Sequence, residues 1–301
     1  MSLAKSPPLA ARPAEVVAFL ALCLGAVAMG VSPVFVRLAD VGPFASAFWR
    51  VALAVPVLAL WAMSEGGSRA LVVAFRSKAI WLAGIFFSID LFFWHLSILH
   101  TSIANATFLS SMAPIWVLLF SGLFIGETVG RREAAGVVVC ILGGAVLLGG
   151  SYTLDADKLI GDIYGIGTSF GFGTYFLAVR AARREHTTGT VTFGATTVTA
   201  LCLFVVAFAF EPKLLPSSLA GAATLAALAY VSHIGGQGLL AFALGYLSAA
   251  FSSLVIFMEV IAAALLAFLV FGEAIGWSQG LGGLMILGGI WIARPRPKTG
   301  A

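Results

Sequence analysis

Six side chains in this chain combine charge, proton chemistry or hydrogen bonding with a position deep inside an apolar run: Arg50, Asp90, His95, His233, Gln237 and Glu259. A charge near a bilayer centre costs about 2.5–3.5 kcal/mol even on the mildest insertion scale, so such groups face a cavity or a partner. Asp90 and Trp94 are spaced i, i+4 and share a helix face. Ser97 extends that stripe, while His95 points about 140° away from Asp90 at the helical period. The spacing therefore assigns Asp90, Trp94 and Ser97 to a cavity, and leaves His95 between a cavity contact and a bond to a neighbouring helix. His233 and Gln237 also share a face, with Gly236 beside them. Imidazole and carboxamide together can donate and accept, which suits a zwitterion, although the same pair could clamp two helices. Glu259 could hold a proton or an ammonium, or serve as a structural acceptor. Arg50, about two turns inside its segment, either snorkels outward or attracts a carboxylate.

Trp94, Trp116 and Tyr175 stand apart from the other aromatics because they lie deep, near polar or helix-breaking residues. Aromatic walls favour a flat apolar side chain by about 0.5–1.5 kcal/mol per pair, and can hold an ammonium by cation–π attraction. Most of the 24 phenylalanines face lipid or pack helices. No catalytic residue, metal or cofactor is expected. The chain has no Gly-x-Ser-x-Gly elbow, no HExxH and no phosphate-binding GxxxxGK[ST] loop. Cys23, Cys140 and Cys202 have no metal or disulfide spacing and read as small packing residues. An intramembrane enzyme built on His95 or His233 is the rival class, and it lacks a nucleophile motif.

The elements that must carry these residues are membrane helices. Apolar residues make up 60% of the chain and charged residues 10%, too few to cover a water-facing surface at the usual share of about 25%. Runs of about 20 apolar residues predict ten spans, near 16–36, 43–63, 79–98, 103–124, 132–150, 160–180, 189–209, 220–244, 248–271 and 277–293. The first is too long for a signal-peptide core and reads as a helix.

One stretch is written twice. Residues 81–127 lie over residues 227–273 at a constant offset of 146, aligning Ser102 with Ser248, Met112 with Met258 and Gly126-Glu127 with Gly272-Glu273. Two similar apolar halves, residues 1–150 and 151–301, are the sign of a repeat-built carrier. Five spans per half is odd, so the second half must insert inverted. With a cytoplasmic N-terminus, thirteen of the seventeen Lys and Arg fall inside and three outside (Arg37, Lys158 and Lys213). That bias predicts that both termini are cytoplasmic. The basic residues cluster at segment ends, so no nucleic acid partner is expected. The partners are the lipid bilayer and a small-molecule substrate.

The residues also carry a resemblance. Leu96-Ser97-Ile98-Leu99 leading to Ala104-Asn105-Ala106 is answered by Ala243-Leu244-Gly245-Tyr246 leading to Ala249-Ala250. The Gly-Glu closures and Met258-Glu259 followed by Ile261-Ala262-Ala263 complete the pattern. The chain resembles the ten-helix EamA branch of the drug/metabolite transporter superfamily over nearly its whole length, with a flavour of the YddG-type exporters of aromatic amino acids. The resemblance implies an all-α integral membrane fold of two inverted-topology five-helix repeats. It further implies a multi-pass inner (plasma) membrane exporter of small metabolites working by alternating access. The expected cargo is amino acids including aromatic ones, with a drug or nucleotide sugar as the alternative. Peripheral fifth and tenth helices are also implied. The small faces at Gly136, Gly143, Gly144, Gly282, Gly283, Gly288 and Gly289 suit helix packing. Proton coupling is left open, with Asp90, Glu259 and His233 as carriers. Glu127 and Glu273 read as interfacial anchors or gate contacts, with Arg131 one turn after Glu127. Where the family repeats a proline, this chain has Pro114 in one half and Val260 in the other, which predicts that the halves bend differently.

Overall fold

The computed structural model describes residues 11–101, 103–148, 158–271 and 276–294. Lys5, Ser102, Gly272, Glu273, Arg296, Lys298 and the connection 151–157 lie outside the described residues, as do the side chains of Arg12 and Arg37. Among the described residues there are helices and turns and no strand.

The helices run in the order α1 (Ala11–Gly30), α2 (Ser32–Leu38), α3 (Pro43–Ala52), α4 (Val55–Gly66), α5 (Ser68–Ala74) and α6 (Lys78–His100). Then come α7 (Ile103–Ser110), α8 (Ala113–Phe124), α9 (Arg131–Leu148), α10 (Leu159–Ala182), α11 (Thr188–Phe210) and α12 (Leu219–Ala227). A π-helical segment, Leu228–Gln237, leads into α13 (Gly238–Ala243), followed by α14 (Ala249–Val255), α15 (Met258–Phe271) and α16 (Trp277–Ala293). Pro33, Pro43, Pro56 and Pro114 each stand in the first turn of a helix, where the missing N–H costs nothing. Thr187, Ser218 and Ser248 cap α11, α12 and α14 by accepting from backbone N–H groups.

Among the described residues, seven helical stretches are long and apolar enough to cross a bilayer: Pro13–Val36, Pro43–Gly66, Lys78–His100, Asn105–Phe124, Thr188–Phe210, Leu219–Ala243 and Ala249–Leu266. The other three expected spans are also helical. However, α9 opens on Arg131, Arg132 and Glu133, α10 is diluted by Gly, Thr and Ser, and α16 has only 17 residues.

The bends do not follow the proline count. α7 and α8 part at Ser111–Met112, and α14 and α15 part at Ile256–Phe257. Those breaks correspond at the 146 offset to within one residue although Val260 is no proline. Short i→i−3 bonds from the Phe257, Glu259 and Val260 amides make the second break. Asymmetry lies elsewhere. α3 and α4 part at Leu53–Ala54 ahead of Pro56, whereas α11, which holds Cys202 at the corresponding place, is continuous.

Packing repeats at the same offset. α9 and α16 lie backbone to backbone: a Cβ on Gly136 would stand 2.7 Å from Gly289 O, and one on Gly143 would stand 2.9 Å from Gly282 O. Adding 146 to each first-half member gives the partner of the other, so each contact has a mate with the halves exchanged. Gly25 on α1 against Gly236, and Gly171 on α10 against Asp90, form a second exchanged set. Cys140 donates to Ile286 O across the α9–α16 seam at 3.5 Å, and its thiol is a packing group as expected.

Candidate functional site

Asp90 owes its place to a glycine. A Cβ on Gly171 would stand 2.6 Å from the Asp90 amide nitrogen, so only glycine lets α10 lie this close to α6. The carboxylate is buried on the inner face of α6. One turn on, Trp94 shares that face, and both line a central cavity with about 60 Å³ of space that water centres can reach.

α3 brings Arg50 to the same cavity and α15 brings Glu259. Arg50 is 5% exposed, so the snorkelling alternative is corrected: the guanidinium turns into the molecule, to the cavity that Asp90 and Glu259 also line. Gln237 comes from the last turn of the π-helical segment, where its Nε2 donates to Met29 Sδ at 3.2 Å. Four cavity-lining residues each have a buried side-chain polar atom with no hydrogen-bond partner: Ser32 Oγ, Arg50 Nε, Thr168 Oγ1 and Gln237 Oε1. Such atoms are uncommon in folded proteins, and these four leave the cavity with polar groups able to bond a guest. Phe87, Phe172, Phe176 and Phe257 give the wall an aromatic side.

Asp90, Trp94, Gln237, Glu259 and Arg50 thus come together, while five other candidates stand behind the wall. Ser97 donates to Gly161 O at 2.9 Å and ties α6 to α10. His95 Nδ1 donates to Leu91 O at 2.6 Å, one turn back on its own helix. Trp116 Nε1 donates to Ser169 Oγ at 2.9 Å, and its ring meets Phe170 edge-on. Tyr175 packs against Phe87 with ring centroids 4.7 Å apart. His233 Nε2 pairs with Thr196 Oγ1 at 2.9 Å. Ser97, His95, Trp116 and His233 thus each have a protein hydrogen-bond partner, although His95 Nε2 and His233 Nδ1 keep none, and Tyr175 is placed by ring packing.

Reading single helices missed Ser110, Ser111, Pro114 and Ser253, which line the cavity at the two helix breaks. The repeat was the signal that could have found them. Ser110, Ser111 and Ala113 correspond at offset 146 to Ile256, Phe257 and Glu259, and all six line the cavity.

Polar ties close the two ends of the surrounding helices. At one end Glu127 accepts from Arg180 Nε at 2.6 Å, from Arg184 at 3.1 Å and from the Ala249 amide at 3.0 Å. These are the partners of Glu127, in place of Arg131. Burial by itself would raise the Glu127 carboxyl, but the bonds from Arg180, Ala249 and Arg184 outweigh it and hold the group below the usual carboxylate range. At the other end Glu211 accepts from the Phe44 amide at 2.9 Å, and Trp49 donates to Leu214 O at 2.6 Å. Asp40 there is held below its ordinary value chiefly by the Ser218 hydroxyl.

With this geometry in place, the comparisons with known proteins decide the class. The profile of the EamA-like transporter family matches residues 16–149 and again residues 159–294. The chain belongs to the EamA-like transporter family. An uncharacterized transporter from Archaeoglobus fulgidus is 24% identical over 274 residues, covering 91% of this chain and 94% of that protein. A solved crystal structure superposes with a TM-score of 0.78 at 20% identity, covering 94% of this chain and 97% of the other, and so shares its fold. An EamA-like transporter is a multi-pass membrane protein, as the apolar helices require. Among the described residues no group of three or more His, Cys, Asp or Glu could hold a metal ion.

Proposed function

We propose that this EamA-like transporter exports small amphipathic metabolites, principally amino acids including aromatic ones, through the cavity between Arg50, Asp90 and Glu259. The observation that carries the reading is the meeting of one guanidinium and two carboxylates beside an aromatic wall. Arg50 suits the carboxylate of an amino acid, and Asp90 or Glu259 suits its ammonium. Trp94 and the neighbouring phenylalanines suit a flat or apolar side chain, and Gln237 offers both a donor and an acceptor. A nucleotide sugar would bring two phosphates to a cavity with one cation, which counts against that cargo.

The exchanged contacts at offset 146 support two repeats, 1–150 and 151–301, of five spans each. An odd number of spans per repeat inverts the second in the bilayer, giving ten transmembrane helices with both termini in the cytoplasm of an inner (plasma) membrane. A cavity of this size must widen to admit an amino acid. In the proposed cycle, cargo shifts the populations of outward- and inward-open states by alternating access, driven by a gradient. The ties around Glu127 and around Glu211 and Asp40 are placed to break in turn.

Counterflow in proteoliposomes tests the reading. Vesicles are preloaded with unlabelled Phe, Trp, Met, Lys, a nucleotide sugar or a quaternary ammonium drug, each against its labelled form outside, with and without a pH gradient. Accumulation confined to amino acids is the expected result, and accumulation of the sugar or the drug alone would discard the cargo. Trp94→Ala and Gln237→Ala should slow transport while leaving the protein folded; normal flux in both would sink the cavity assignment.

A further inference from the structure

We infer that the π-wound segment Leu228–Gln237 links the cavity to the ties at the Glu127 end, by tightening to ordinary α winding when the carrier turns to its other side. The inference rests on the alternating-access reading above and names the element that carries it.

The winding decides where two polar side chains go. At the α period His233 and Gln237, four residues apart, share a face. A π turn bonds each amide to the carbonyl five residues back, so each residue turns less and Gln237 falls back relative to His233. Wound this way, His233 reaches Thr196 on α11 while Gln237 reaches the cavity and Met29. A tighter turn rotates Gln237 forward against His233, and the two contacts cannot both be kept.

The repeat shows that the alternative winding fits. Residues 82–91, the counterpart at offset 146, lie inside α6 and are α-wound throughout. Yet the packing at this point is the same in both halves, since Gly236 meets Gly25 as Asp90 meets Gly171. One packing anchor therefore accepts both windings. In a carrier whose halves exchange roles, the half that is π-wound here takes the winding of its mate in the opposite state.

The segment is also incompletely satisfied. Ser232 Oγ, His233 Nδ1 and Gln237 Oε1 are buried atoms without a hydrogen-bond partner, and all three lie within these ten residues. Each such atom narrows the margin by which the observed winding is preferred. At Gly235 a Cβ would meet nothing nearer than Tyr230 O at 3.6 Å and Ala28 at 3.8 Å, so the surroundings leave the turn room to rewind.

The consequence reaches the end of the molecule. The helix continues through Gly238, with α dihedrals, into α13. Arg183 donates to Ala241 O at 2.9 Å and Arg180 to Leu244 O at 2.7 Å, and Arg180 also holds Glu127. Rewinding upstream turns those two carbonyls away from their guanidiniums. Cargo that engages Gln237 thereby acts on the ties that close that end.

The test is amide hydrogen exchange on the purified full chain in lipid nanodiscs, first without cargo. A segment poised between two windings opens locally more often than a continuous α-helix. Amides of residues 233–238 should therefore exchange about tenfold faster, or more, than their counterparts at 87–92. Equal or slower exchange overturns the inference. Deleting Gly235 shortens the segment and favours the tighter winding. In that variant residues 241–247 should exchange about tenfold faster than in the unmodified protein, because their arginine ties are released, and phenylalanine counterflow should fall. Adding Gln237→Ala to the deletion should cause no further fall, since the deletion already withdraws that side chain. A folded deletion variant with unchanged exchange at 241–247 overturns the inference, and so does one whose counterflow falls again with Gln237→Ala. If the deletion variant does not fold, the comparison within the unmodified protein decides. If no amino acid is carried at all, the amino-acid reading falls, and the exchange measurements still decide the inference.

Discussion

The central cavity and the α9–α16 seam answer the same solvent in opposite ways. At the seam two continuous helices meet through Gly136, Gly143, Gly282 and Gly289, with no charged side chain at the contact. Around the cavity the helices are interrupted at Leu53–Ala54, Ser111–Met112 and Ile256–Phe257, and the interior holds Arg50, Asp90 and Glu259 beside unpartnered polar atoms. Close backbone packing needs no polar group, because dispersion over a long contact holds helices together in lipid. A cavity wall cannot use that solution. In the proposed cycle its helices change their approach, and the breaks at Leu53–Ala54, Ser111–Met112 and Ile256–Phe257 let parts of a helix reorient without moving the whole. In that cycle the seam holds and the cavity gives way.

The sharpest way to break this contrast is Arg50→Ala. Removing the only cation among the cavity's three charges should lower flux about 100-fold, because truncating one member of a desolvated charge set costs about 2–5 kcal/mol and each factor of ten is about 1.4. The melting temperature of the purified protein should also fall, because two buried carboxyl groups lose their cation, but transport per folded molecule should fall further. Arg50→Lys should lie between, since it keeps the charge and loses the planar fork. If Arg50→Ala unfolds the protein while transport per folded molecule persists, the guanidinium is a structural clamp and the contrast fails.

The converse substitution is Gly282→Leu. The Leu147 backbone and Gly143 O leave no room for a Cβ there, and overpacking costs about 1–3 kcal/mol. A clear drop in melting temperature is expected, with transport per folded molecule retained. A seam variant that melts normally but has lost transport would show that α9 and α16 move with the cycle.

Much of the seam was legible in the sequence, and less of the cavity. Gly136, Gly143, Gly282 and Gly289 pack as their spacing suggested, because a missing Cβ lets backbones approach, whereas Gly283 and Gly288 meet no neighbour. Asp90 and Trp94 were legible through i, i+4 spacing and depth. Ser97, His95 and His233 were not, because helical phase gives a direction from one axis and not the identity of the neighbour. For Ser97 that neighbour is the Gly161 carbonyl, and for His233 it is Thr196, 37 residues away. The bends misled for a related reason: a proline predicts a break, yet the second break forms from short i→i−3 bonds around Phe257 without one.

Between the two regions lies Glu127, which ties the ends of α8 and α10 to the start of α14. Glu127→Gln should cost about 1–2 kcal/mol, near the lower end for hydrogen bonds to a charged group, and should alter transport as well. It also carries a pH signature. Its carboxyl titrates lower in the folded protein than in the unfolded chain. Its contribution is therefore complete above the ordinary carboxylate pKa and is lost as pH falls through the depressed folded value. Thermal melts across the acid range should show a shallower slope for Glu127→Gln than for the unmodified protein. An identical slope would remove Glu127 from the ties that close this end.

The smallest effect is expected from Asp40→Asn at the opposite end. Asp40 accepts from the Ser217 amide at 3.0 Å and the Ser218 hydroxyl at 2.9 Å, both in an exposed setting. An asparagine carbonyl can accept the same two bonds, and Ser218 continues to cap α12 by accepting from the Gly221 amide. Only the charge is lost, and at an exposed site water screens it. The melting temperature should shift less than in Glu127→Gln, and counterflow should match the unmodified protein. Because the Asp40 carboxyl is also held low, its slight contribution likewise disappears only in acid, below the ordinary carboxylate range. A loss of flux in Asp40→Asn as large as that in Arg50→Ala would mean that charge at the end of the helices governs the cycle as strongly as charge in the cavity. The division between a cavity that selects and a frame that holds would then have to be redrawn around the ends.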